Sequence, residues 1–269
     1  MTSVLAERPA TRNDAGSHVK EQKTSLIINA DDWGRDRNVT ERTLECILLG
    51  AVSSASAMVF MEDSKRAAEL AREHRVDTGL HLNLTTSFTA AADCPPRLKT
   101  EHEKVVSYLR VSRLRSAIYH PGLARPFEYV VKAQLDEYEH LYGKPAERID
   151  GHHHMHLAAN VQMQKLLPKG TVVRRNFSFG KNEKSALNRL YRRWQDSRLA
   201  GRHRMTEYFF SLPPMDIPGR LDKILALAKH SLVELETHPV NRDEYEFLTS
   251  AEWMQKTKSV GIARGYVVA

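Results

Sequence analysis

Ser25-Leu26-Ile27-Ile28-Asn29-Ala30-Asp31-Asp32-Trp33-Gly34 is a short apolar run that stops on two adjacent carboxylates. A run of this length, bounded by a turn signal, reads as a buried strand. A helical pattern follows from about Asp36, so the chain opens strand-then-helix,. The alternation continues. Strand-like pieces fall at 25–30, 53–60, 77–84, 148–155, 171–175, 231–237 and 264–268, with helical patterns near 37–49, 63–74, 126–142, 158–167, 185–198, 219–229 and 250–258. In the third helix Phe127, Val130, Val131, Leu135, Tyr138 and Leu141 form an apolar stripe, and Gly143 sits where a C-cap belongs,. Such alternation implies an α/β fold of mostly parallel strands with crossover helices, open or closed into a barrel. Residues 86–122 are the least regular part and read as a long loop, either a lid over a site or a plain surface excursion,.

Composition agrees with a globular enzyme. The 269 residues are 41% hydrophobic and 7% aromatic, enough for a substantial core, and α/β barrels of this length are often one domain,. No apolar run approaches a membrane span. Residues 1–22 are polar, lack the hydrophobic centre of a secretory signal, and read as a loosely ordered extension ahead of a single domain over 23–269,. Cys46 and Cys94 suggest no disulfide framework, which makes a reduced, cytoplasmic compartment the expectation,.

Three motifs carry chemistry. The Asp31-Asp32 pair can divide labour, one acid holding a cation and the other remaining free as a base, although Asp pairs also cap helices,. Thr78–Thr85 (TGLHLNLT) alternates with period two, placing His81 and Asn83 on one polar face of a strand,. Asp150-Gly151-His152-His153-His154-Met155-His156 has four histidines in five positions. If that segment is extended, Asp150, His152, His154 and His156 share a face. Asp32, His81 and one histidine from 152, 154 and 156 would then form a two-His, one-carboxylate site with open positions, the catalytic rather than the structural pattern for a divalent metal ion. Spacing alone allows any of the three. A solvated His-rich patch is the bland reading of the same residues.

NADDWG, GLHLNLT, DGHHHMH and ETHPV, in this order and spacing from about Leu26 to Gly265, resemble the YdjC-like carbohydrate deacetylases, the ChbG/HpnK family. The resemblance implies a distorted (β/α) barrel. It also implies metal-dependent hydrolysis of the N-acetyl group of an amino sugar, free or carrier-linked, with release of acetate. By motif position it makes Asp31 the base, Asp32, His81 and His152 the metal ligands, and His238 a general acid. Val240 replaces the usual glycine beside that last histidine, and Trp33 replaces a frequent phenylalanine. His154 and His156 are left either to support the metal ligands from behind or to hold sugar hydroxyls, with Asn83 and Arg174 as substrate contacts, Arg174 alternatively orienting Asp31. Histidine ligands favour Zn²⁺ or another transition ion, while the resemblance also admits Mg²⁺.

From Lys165 to Arg204, 12 Lys or Arg stand against Glu183 and Asp196, a local net of +10 in a chain of +7. This excess points toward an anionic or carrier-linked substrate. It also allows a solvated basic helix whose Leu187, Leu190, Tyr191 and Trp194 face the core. Two further functions fit less of the sequence. One is a different metal-dependent amide or phosphate-ester hydrolase on the same scaffold. The other is a non-catalytic polyanion- or nucleic-acid-binding protein, against which the complete acid–base set argues. Oligomeric state leaves no mark on the sequence.

Overall fold

The computed structural model describes residues 26–90, 92–179, 184–263 and 265–266. The extension read at 1–22 lies outside the described residues. Among the described residues, seven strands are β1 (Leu26–Trp33), β2 (Ser54–Ala57), β3 (Thr78–Leu82), β4 (Arg148–Gly151), β5 (Val172–Val173), β6 (Tyr208–Ser211) and β7 (Val233–Thr237). All pair in parallel, in the order β5-β4-β3-β2-β1-β7-β6, and the sheet curls into a half-barrel. Helices α1 (Arg37–Leu48), α2 (Ser64–Glu73), α3 (Pro96–Arg110), α4 (Ala124–Tyr142), α5 (Ala159–Met163), α6 (Ala186–Ala200), α7 (Arg220–Ala228), α8 (Arg242–Leu248) and α9 (Ala251–Lys258) cover its outside. The α/β barrel expectation holds.

Alternation along each strand separates two chemistries. Outward residues such as Ala55, Leu80, Leu82 and Ile149 pack with Phe127, Val130 and Tyr138 of α4 in one apolar layer. Leu26, Ile28 and Leu235 pack with Ile224, Leu248 and Trp253 in a second layer under α7 to α9. Inward residues are mostly polar, apart from Ile27 and Phe209, which share the face of Glu234. Arg148 spans this interior, donating to Asn29 Oδ1 at 3.0 Å, Ser56 Oγ at 2.9 Å and Ser54 Oγ at 2.6 Å. Gly79 leaves room for it: a Cβ there would lie 2.8 Å from the guanidinium carbon. Beyond the last helix, Ala263 donates its N–H to Leu26 O, and Tyr266 lies under the Arg148 guanidinium, 4.3 Å from ring centroid to Cζ.

Several elements differ from the sequence reading. The irregular stretch 86–122 contains the whole of α3, whose buried Leu98, His102, Val105 and Leu109 recur at helical spacing,. Its stripe includes a histidine, which masks the periodicity. β6 and α8 were not anticipated, because β6 is only 4 residues, three aromatics and a serine, and α8 is only 7 residues long. Near 264–268, the described Gly265 and Tyr266 are not in a strand; the contact with β1 is a single bridge from Ile262 to Leu26. The strand expected over 148–155 stops at Gly151.

Candidate active site

The site lies at the carboxyl ends of β1, β3, β4 and β7, where βα loops converge,. β1 delivers its two acids through a bulge. Ala30 pairs with Ala55 but Trp33 pairs with Ala57, so the register slips across Asp31-Asp32, and Asp32 takes a left-handed φ of 68°,. In a regular strand these neighbours would face opposite sides. Here both carboxylates approach His81 Nε2, Asp32 at 3.3 Å and Asp31 at 3.9 Å.

His81 stands inward on β3 as its alternation requires, and its Nδ1 donates to Asp150 Oδ1 at 2.7 Å. Asp150 also accepts from Ser56 and pairs with Arg174 at 3.0 Å. His152 Nδ1 lies 3.0 Å from Asp32 Oδ1, the same oxygen that faces His81. Ligating atoms of Asp32, His81 and His152 all fall within 4.8 Å of one another. One carboxylate and two imidazoles, one braced from behind by a carboxylate, form a donor set that fits a divalent transition ion. Burial would raise the Asp32 pKa, but hydrogen bonds from His152 and His81 hold it well below the usual range. Burial would lower His81, yet Asp31 and the bond to Asp150 push it up to about 10.

The histidine run does not extend. Gly151 is followed by a tight 3₁₀ turn, His152–Leu157, with His153 and His154 at φ of 54° and 59°. A Cβ on Gly151 would lie 2.9 Å from His156 N, so glycine is needed for the chain to fold back,. The turn therefore sends the imidazoles in different directions. His153 Nδ1 meets Thr85 Oγ1 at 3.0 Å. His154 packs edge-on against Phe177 and Phe209 and lies 3.8 Å from Glu236. His156, read as either a supporting residue or a substrate contact, is fully buried and donates Nε2–H to Arg174 O.

Two other expected substrate contacts are held by hydrogen bonds within the protein. Asn83 lies just past β3, fully buried, and its Oδ1 accepts from the Thr85 and Thr86 N–H groups while Nδ2 donates to Thr86 O. Arg174 takes the alternative role, orienting Asp31: two 2.7 Å bonds grip that carboxylate, and Nε donates to Glu234 at 2.7 Å. Asn29 Nδ2 donates to Asp31 as well, at 2.8 Å. Burial acts to raise Asp31, but Arg174 and then His81 outweigh it and leave the acid ionised below its ordinary range.

β7 supplies the opposite wall. Asp31, Glu236 and His238 have ligating atoms within 4.8 Å of one another. His238 donates its N–H to Glu244 Oε2 on α8 at 2.8 Å, and Asn241 donates to the other oxygen. The Asn241 N–H bonds back to His238 O, so the turn closes with Val240 inside it. Glu234, Glu236 and Glu244 were not anticipated. Glu234, Glu236 and His238 nevertheless share a period-two face in VELETH, the signal that could have found the first two,. Burial first, then the Asp31 charge, pushes Glu236 well above the carboxylate range. His152, His154 and His238 form the partly open rim, while Asp31, Asp32 and His81 are buried beneath it.

The YdjC-like protein family model matches residues 25–259. The chain belongs to that family. A carbohydrate deacetylase of Brevibacillus brevis is 30% identical to this YdjC-like chain over 243 residues, 88% of this chain and 90% of that one. A carbohydrate deacetylase of Mus musculus and a chitooligosaccharide deacetylase of Serratia marcescens are each 32% identical, over 143 and 141 residues. Those two matches span about half of this chain and 45% and 52% of the respective relatives. A solved Enterococcus faecalis structure, described in connection with cellobiose-phosphate cleavage, superposes with a TM-score of 0.57 at 21% identity. It covers 88% of this chain and 95% of the other, which supports the shared fold.

Proposed function

We propose that this YdjC-like protein is a metal-dependent carbohydrate N-deacetylase, releasing acetate and a free amine from an N-acetylated amino sugar. The observation that carries the reading is the division between two adjacent acids. Asp32 belongs to the Asp32–His81–His152 donor set, and Asp31 is held beside that set in the grip of Arg174. The relatives' names support the substrate class.

Asp32, His81 and His152 would hold the ion, with Zn²⁺ favoured by the two nitrogens and Mg²⁺ the alternative. When bound, a divalent ion polarises an amide carbonyl and lowers the pKa of water. Asp31, ionised and unable to rotate, accepts the proton of the attacking water. His238, on the wall opposite the donor set and held by Glu244, delivers a proton to the departing sugar nitrogen,. His154 lines the rim beside Phe177 and is placed to contact the sugar. The basic surface around 165–204 favours an anionic or carrier-linked substrate.

Acetate release from a panel of N-acetylated amino-sugar oligomers, with stripped protein and with Zn²⁺, Mg²⁺, Mn²⁺ or Co²⁺ restored, tests the reading. Metal-dependent acetate from any member is expected. Bound metal with no acetate from any member would overturn it in favour of another hydrolase.

A further inference from the structure

α6 is turned inside out. Leu187, Leu190, Tyr191 and Trp194 follow i, i+3, i+4, i+7 spacing, which ordinarily marks the core side of a helix. Their exposures are 80%, 64%, 42% and 52%. The expectation that this stripe packs inward is therefore overturned, and the reason lies on the opposite face. There Asp196 accepts from the Asn176 N–H and Nδ2 and pairs with Arg175 at 3.0 Å. Arg192 reaches Asn176 Oδ1, and Leu199 is buried. Polar bonds pin the helix to the segment following Arg174, and the apolar stripe is left pointing at solvent.

Charge on the outer side has one sign. Asp196 is the helix's only carboxylate and it is buried, whereas Arg193 and Arg198 are exposed. The Arg198 guanidinium lies 5.0 Å over the Trp194 ring, and the same residue lines a cavity of about 200 Å³. Lys165, Arg202, His203 and Gln162 line it too, with no carboxylate, and the Arg202 Nε is buried without a partner. An apolar stripe edged by Trp and Tyr thus runs into a cationic cavity through one shared arginine.

We propose that α6 and this cavity form a docking surface for an anionic phospholipid bilayer. The stripe enters the headgroup boundary, and Lys165, Arg198 and Arg202 receive a lipid phosphate. A bilayer of this kind offers apolar and anionic groups together on one flat surface, which matches both halves of the patch. No helix among the described residues is long and apolar enough to cross a membrane, so the contact is peripheral. The proposal is independent of the chemistry assigned to the active site.

Flotation of the full chain with phosphatidylcholine vesicles, with and without phosphatidylglycerol, is the test. Binding at least about tenfold stronger to the anionic vesicles is expected, falling as salt rises. The double variant Leu187→Ser/Trp194→Ser should lose about tenfold in binding with an unchanged thermal transition, and Arg198→Gln should lose binding to the anionic vesicles selectively. No binding to anionic vesicles overturns the proposal, as does full binding by the double variant. If inorganic phosphate stabilises the chain through Arg198 without any flotation, the cavity serves a free anion and the bilayer assignment fails. A dimer abolished by the double variant, without flotation, would instead assign the stripe to a second copy of this chain.

Discussion

Asp31 and Asp32 have the same side chain and one peptide bond between them, yet different partners. Two guanidinium bonds and an amide fix Asp31, while two imidazoles and Arg35, at 2.6 Å, surround Asp32. Asp31→Asn should therefore keep bound metal but lower turnover by about 10² or more, read by metal content and acetate release on one sample. Turnover near wild type would remove Asp31 as the base. Asp150 works through His81, and Asp150→Asn should weaken metal affinity by about 10- to 100-fold in a chelator competition. Arg174 is the countercharge for Asp31, Asp150 and Glu234, all buried. Arg174→Met removes the guanidinium these carboxylates share, leaving His81 and Arg148 beside them, and should cost about 3–5 kcal/mol in urea unfolding, whatever the substrate proves to be,.

Two local departures from regular geometry build the site at the level of elements. The β1 bulge turns neighbouring acids toward one histidine, and the turn after β4 separates histidines that an extended strand would align. Gly151→Ala should destabilise the protein by about 1–3 kcal/mol and weaken metal binding together, because the new methyl meets the His156 backbone,. Calorimetry with and without metal would show whether both change. These departures also mark what sequence could tell. Period-two patterns placed His81, and a short apolar run placed β1, since both express burial on a strand. The burial of His156 and Asn83 was not legible, because a left-handed turn and an amide-closed loop leave no periodic trace. Helix α3 was concealed by His102, a polar residue in the core stripe, whereas α6 was legible as a helix but its apolar stripe faces solvent rather than the core.

For the molecule as a whole, the distinctive feature is a polar interior between two apolar layers. Some of its buried histidines are neutral. Burial lowers His102 and His156 from 6.5 to about 4. The unfolded chain would bind protons at these positions that the folded chain refuses. Their contribution is thus complete above pH 6.5 and is lost as pH falls toward about 4, up to about 3 kcal/mol for each,. Urea unfolding at several pH values should show stability declining across that window, with a shallower decline in His102→Gln.

The strand order has a further consequence, for the order of events during synthesis. β1 emerges first and is paired on one side by β2, but its other flank waits for β7; the Thr237 hydroxyl that bonds Asn29 O is 208 residues downstream. All three proposed metal donors leave the ribosome before Lys165, whereas Glu236 and His238 arrive near the end. A nascent chain can gather its ligand set while half of the catalytic wall is still unmade, and through that interval β1 carries an open edge beside two bare carboxylates.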